Sequence, residues 1–176
     1  MRPRIRSLLR AILSVAPALS ACGHSVPANR YPEAGEGRLA AELAGERMLH
    51  GAARATYCRG DSILVVIAVT PGWTVGLALR GSFPGDTTRT FSVGASLAGA
   101  GTATAAFRAV TDSVEPALVG IAGTARLDPG SLATGRFDVS VPALYARSRP
   151  RRILGAFRAL PTADTAATCS STPRTP

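Results

Sequence analysis

From Trp73 to Phe83 the chain changes character at nearly every residue. Trp73, Val75, Leu77, Leu79 and Phe83 are large and apolar, whereas Thr74, Gly76, Ala78, Arg80 and Ser82 are small or polar. A period of two puts alternate side chains on opposite faces of a strand, so this stretch can bury one face only as β structure. The pattern recurs. Phe91 and Val93 point one way within Thr88 to Ser96, and Ala105, Phe107 and Ala109 oppose Thr104 and Arg108. Val119, Ile121, Ala125 and Leu127 are expected inside, opposite Thr124 and Arg126. Phe137, Val139 and Val141 then oppose Arg136, Asp138 and Ser140, and Ile153, Phe157 and Ala159 oppose Arg152 and Arg158. Pro71-Gly72, Pro84-Gly85-Asp86 and Asp128-Pro129-Gly130 supply turns between the runs. Ser62 to Val69 (SILVVIAV) is apolar at successive positions, as a strand covered on both faces would be. About eight or nine strands in one compact stretch predict an all-β domain, an antiparallel barrel or sandwich over residues 38–160.

Leu39 to Tyr57 fits two periods. Leu39, Leu43 and Arg47 share a helical face, but Gly45 and Gly51 interrupt it and no good cap precedes it. As a hairpin, Leu39, Ala41 and Leu43 alternate with Arg38, Ala40 and Glu42, and a turn near Gly45-Glu46 returns the chain through Leu49, Ala53 and Tyr57. The hairpin is the preferred reading.

Upstream of the β domain the logic is that of export. Arg2, Arg4, Arg6 and Arg10 form a basic head, Ala11 to Leu19 a short apolar run, and Ser20-Ala21 a small pair before Cys22. The apolar run is too short to span a bilayer, which takes about 20 apolar residues. A charged head, a brief apolar core and small residues before the cut mark a signal peptide. With Leu19-Ser20-Ala21-Cys22 the segment resembles a bacterial lipoprotein signal. That resemblance implies cleavage after residue 21, diacylglycerol on the Cys22 sulfur and, usually, an acyl chain on its new amino group. Two or more acyl chains hold a protein stably on a membrane. Gly23 stands where an Asp would, in some bacteria, retain the protein in the inner membrane, so the outer membrane is the expected address. Residues 22–37 then form a lipidated tether, with two prolines and three glycines between Gly23 and Gly37.

Charge has to be recounted after cleavage. All 20 basic residues are Arg, four leave with residues 1–21, and 16 remain against 11 acidic residues, a net +5 instead of +9. That modest charge and the envelope compartment exclude nucleic acid as an expected partner. Cys58 and Cys169 are the cysteines left after acylation of Cys22, and in an oxidising compartment they predict one disulfide. It would pin the polar tail, residues 161–176, to an early strand.

Three Gly-x-Phe steps stand out: Gly81-Ser82-Phe83, Gly135-Arg136-Phe137 and Gly155-Ala156-Phe157. Inward glycines permit sharp curvature or close backbone approach. The runs Gly123-Thr124-Ala125-Arg126-Leu127, Thr134-Gly135-Arg136-Phe137-Asp138-Val139 and Leu154-Gly155-Ala156-Phe157, with the earlier His50-Gly51-Ala52-Ala53, resemble the strands of small, largely uncharacterised all-β bacterial lipoproteins. The resemblance implies a β lipoprotein domain and transfers no catalytic residue.

No catalytic constellation accompanies these features. Gly94-Ala95-Ser96-Leu97-Ala98 lacks the second glycine of a nucleophile elbow, and His24 and His50 both precede the serine rather than follow it. No metal site is expected: His50 and Cys58, eight residues apart, would sit about 26 Å apart on one strand, and no C-x-x-C is present. No cofactor motif appears, since the glycines from Gly94 to Gly101 are not followed by Gly-Lys-Ser. Asp61, Asp86, Asp112, Glu115 and Asp128 fall at turns, and Asp138 on an outward face suits a cross-strand ion pair. Arg147, Arg149, Arg151 and Arg152 flank Pro150 and could contact anionic lipid, each charge worth up to about 1 kcal/mol near such a surface. The expected protein is therefore a non-enzymatic envelope lipoprotein, its β domain a binding or structural module. Its partners are the membrane, through lipid on Cys22, and an envelope protein or apolar ligand. In the alternative, a small barrel carries an apolar ligand among Trp73, Phe91, Phe107 and Phe137. An envelope hydrolase is the least supported reading.

Overall fold

The computed structural model describes residues 30–43, 46–110, 117–142 and 150–169. Strands β1 (Arg38–Leu43) and β2 (Glu46–Cys58) pair antiparallel, so the hairpin reading of this segment holds, with a bulge between Ala41 and Glu42. They are followed by β3 (Ile63–Val69), β4 (Trp73–Arg80), β5 (Arg89–Val93), β6 (Thr102–Ala109), β7 (Leu118–Val119), β8 (Ala122–Leu127), β9 (Ala133–Val141), β10 (Arg151–Leu160) and β11 (Thr162–Thr165). The order β1-β10-β9-β8-β5-β6-β4-β3-β2 closes through the β1–β2 pair into a nine-stranded barrel, with β7 and β11 added to it.

The barrel is only mostly antiparallel. β6 returns into the slot between β4 and β5, antiparallel to β4 and therefore parallel to β5 over Ser92 and Val93. β11 lies parallel to β2, Thr162 to Thr165 beside Ala55 to Cys58. The tail after Pro161 is thus partly a strand. It is tied down by an Arg59–Asp164 ion pair, by Cys169 N–H donating to Asp61 Oδ2 at 3.0 Å, and by the Cys58–Cys169 disulfide with Cα atoms 5.8 Å apart. The disulfide joins the two cysteines that the sequence leaves as a pair.

Inward residues fill the lumen. Leu39, Leu49, Leu77, Leu79, Phe107, Phe137, Phe157 and Ile153 are each at most 2% exposed. The Phe107 and Phe137 rings lie 6.0 Å apart, and those of Tyr57 and Phe83 5.9 Å apart. No polar or charged residue is buried among the described residues, so apolar side chains line the interior. Burying a side chain of this size contributes about 1.5–3 kcal/mol, and the closed wall removes the edges on which strands aggregate.

Three facing expectations fail, the first at Ala159, which is expected inward but is only partly buried where the β10 register shifts, so that Leu160 takes the inward place. Ser62 to Val69 is covered on both sides only at its start: Leu64, Val66 and Ala68 face in, and on the other face Ile63 is 1% exposed but Val69 is 61% exposed. Barrel strands have one lumen face and one outer face, and the apolar run simply carries apolar residues on both. Val119 and Ile121 also lie outside, 39% and 47% exposed, although Ala125 and Leu127 are buried. Gly120 points inward against Val139 and Val93, and the parity reverses before Ala125. The chain there leaves β6 to enter the wall between β5 and β9 through Gly123, whose φ of +139° suits glycine alone.

Candidate functional site

The bottom of β10 is where the regular ladder breaks. Phe157 pairs with Gly135 but Leu160 pairs with Ala133, so Arg158 and Ala159 together face the single residue Thr134. This is a β-bulge, which bends the strand and re-aims a side chain. Ala159 adopts φ +47°, a left-handed conformation that costs an alanine about 1–2 kcal/mol. The freed groups find partners: Ala159 N–H donates to Thr134 Oγ1 at 2.9 Å, and Gly37 N–H donates to the Arg158 carbonyl at 2.9 Å.

Outward residues around the bulge line an open groove of about 830 Å³ on the barrel wall. Two cross-strand rows build it. In one, Arg38 of β1 lies opposite Arg158 of β10, with Thr134 beyond. In the other, Ala156 of β10 lies opposite Arg136 of β9, and the row runs on to buried Ala40 of β1 and to Arg126 of β8, both outside the lining. Ala156 keeps the floor low between the arginines, and Tyr31 to Gly35 form a further wall with His50 at the margin. The last part of the expected tether, from Tyr31 on, is therefore docked on the barrel.

The electrostatics are lopsided. Arg38 faces Arg158, and Arg126 faces Arg136, as directly opposed like charges, an arrangement that destabilises a sheet. The second pair is relieved: Arg126 Nε lies 3.3 Å from Asp128, and the Arg136 guanidinium sits 5.1 Å from the Tyr31 ring centroid. Neither Arg38 nor Arg158 makes an ion pair among the described residues. Burial, then the nearby Asp138 charge, raise the Tyr31 phenol above its ordinary pKa, while Arg136, Arg152 and Arg126 pull the other way. The phenol stays a donor across the physiological range.

The sites expected from sequence are scattered relative to this groove. Cys22, Arg147 and Arg149 lie outside the described residues. Arg152 donates through Nε to Asp138 Oδ1 at 2.6 Å and through Nη2 to Oδ2, which is the ion pair expected for Asp138. That hydrogen bond raises the Arg152 pKa further, against the effect of burial. Its charge is already matched, which leaves Arg151 as the described member of the basic set without an ion pair. Phe91, Phe107 and Phe137 are packed in the core with Trp73 against its margin. Among the described residues no group of three or more His, Cys, Asp and Glu could hold a metal ion. The groove residues Tyr31, Arg38 and Arg158 carry no motif, and His50 belongs only to the His50-Gly51-Ala52-Ala53 run, which names no site. Their one signal in the sequence is position, as outward neighbours of buried Leu39, Leu49 and Phe157. Compared with known proteins, the chain matches no family model, no curated protein and no solved structure.

Proposed function

We propose that this chain is a lipid-anchored bacterial envelope protein whose barrel is a non-enzymatic binding module, acting through its outer wall. The observation that carries the binding part is the contrast between the packed lumen and the open groove of about 830 Å³ outside it. Ligand sites are concave, with a few convergent polar groups, and the groove has that form. The anchoring part rests on the basic head, apolar core and Leu19-Ser20-Ala21-Cys22, and Gly23 favours the outer membrane over the inner. The two parts fit each other in length. Cys22 precedes Tyr31 by nine residues, so a lipid on Cys22 stands at most about 30 Å from the groove wall.

The test of anchoring is the mass and partitioning of the native protein beside a Cys22→Ser variant. The native chain is expected to lack residues 1–21, to carry added lipid mass and to sediment with membranes, while the variant is released. A variant that still partitions with membranes, or a native chain that keeps residues 1–21 unmodified, overturns the lipoprotein reading.

A further inference from the structure

We infer that the groove beside the β10 bulge binds a phosphate group, held between the opposed Arg38 and Arg158 on one side and Arg136 on the other. Two guanidinium groups placed directly across a strand pair repel one another, and nothing in the barrel's packing requires them: both point outward from a wall whose core residues are Leu39 and Phe157. A shared anion turns that repulsion into attraction. The bulge strengthens the case, because Arg158 stands beside a left-handed Ala159 at the point where β10 breaks its ladder with β9, and such devices gather at functional sites.

The charge of the lining favours a dianion. Three arginines line the groove, Arg38, Arg136 and Arg158, together with Glu33 and Asp128. Asp128 is matched by Arg126, which leaves Glu33 against three cations and a local charge of +2. A phosphate monoester carries close to that charge with opposite sign, and its oxygens suit the planar forks of guanidinium groups. Tyr31, already over the Arg136 guanidinium, brings a hydroxyl to the same wall. The phosphate can belong to a soluble ester or to a lipid headgroup, and the short reach from Cys22 to Tyr31 keeps headgroups close.

This inference rests on the reading of the barrel as a binding module, yet the two fail separately. Phosphate binding is measured whatever lipid Cys22 carries, and the lipid is read by mass. The test is calorimetric titration of the full-length protein in detergent with inorganic phosphate, monomeric dihexanoyl phosphatidic acid and dihexanoyl phosphatidylcholine. Arg38→Gln/Arg158→Gln is the test variant, Arg136→Gln a second, and Arg108→Gln, on the outer face of β6, the matched charge control. Phosphatidic acid is expected to bind the native protein at least tenfold tighter than either groove variant, with Arg108→Gln unchanged and phosphatidylcholine weaker throughout. Comparable binding of inorganic phosphate identifies the phosphate alone as the ligand, whereas binding of phosphatidic acid only identifies the headgroup in its lipid. Both support the site. The double variant loses a like-charge contact, so its thermal midpoint is expected to stay level or rise, and Arg136→Gln reports independently if it does not. No binding of either phosphate compound, or an equal loss in Arg108→Gln, overturns the inference.

Discussion

The Gly-x-Phe steps acquire their meaning from atoms on the neighbouring strand. Gly155 lies opposite Phe137, and Gly135 opposite Phe157, so each phenyl ring covers the glycine of the partner strand. A Cβ at Gly135 would stand 2.6 Å from Phe157 Cζ, and one at Gly155 would fall far inside contact with Phe137 Cζ. Gly155→Ala is therefore expected to cost about 1–3 kcal/mol in chemical unfolding, the usual range for overpacking. Gly76→Ala on β4 has no heavy atom within 4 Å of the added carbon and is expected to gain about 0.5–1 kcal/mol. Equal effects at the two positions would refute the ring-over-glycine account. Tyr31 gives a pH signature. The folded protein holds its phenolic proton more tightly than the unfolded chain, so this stabilisation is complete below the ordinary tyrosine pKa of about 10 and declines as pH rises above it. Thermal midpoints are expected to fall more steeply above pH 10 for the native protein than for Tyr31→Phe, with parallel curves below.

Among the elements, β11 and its disulfide act as a strap over one flank of the barrel. Ile63, next to Cys58 in the β2–β3 register, is 1% exposed yet stands outside the luminal cluster. The cross-link closes a span of 111 residues, which in the chain-entropy model contributes roughly 4–5 kcal/mol by restricting the unfolded chain. Cys58→Ala/Cys169→Ala is expected to lose about that much, with fast amide exchange confined to Thr162–Thr165 and the β2 residues facing them. Exchange spreading through β9 and β10 would mean that the strap holds the whole wall. The strand at Ala122–Leu127 shows how far alternation can be trusted. Its second half is read correctly, but Val119 and Ile121 have the same parity and lie outside, because Gly123 resets the face. A glycine inside an alternating run is the visible warning; the reversal itself depends on which strands the segment enters.

As a whole molecule the barrel is closed by contacts between its ends. β1 pairs with β10, joining Leu43 to Ile153 and Leu39 to Phe157, so the ring is complete only when residues more than a hundred apart have met. Topologies of this kind fold in milliseconds to seconds, since loop closure precedes the gain from pairing. Refolding of the reduced protein, followed through Trp73, the single tryptophan, is expected in that range or slower, and faster with the disulfide intact. Refolding of the reduced chain in microseconds would contradict the closed topology.

Local chemistry alone determined the β class, the approximate strand number, the hairpin at Leu39 to Tyr57, the turns and most inward residues, because alternation and turn preference act between near neighbours. It also left Cys58 and Cys169 as the natural pair. Only the tertiary structure decided that the sheet closes into a barrel, that β5 and β6 run parallel, and that the tail becomes a strand. Those outcomes depend on strand order, which no local pattern encodes. The groove belongs to the same class. Arg38, Arg136 and Arg158 each read as an ordinary outward arginine. The β1–β10 and β9–β10 registers place them around Ala156, and the first of these exists only in the closed barrel.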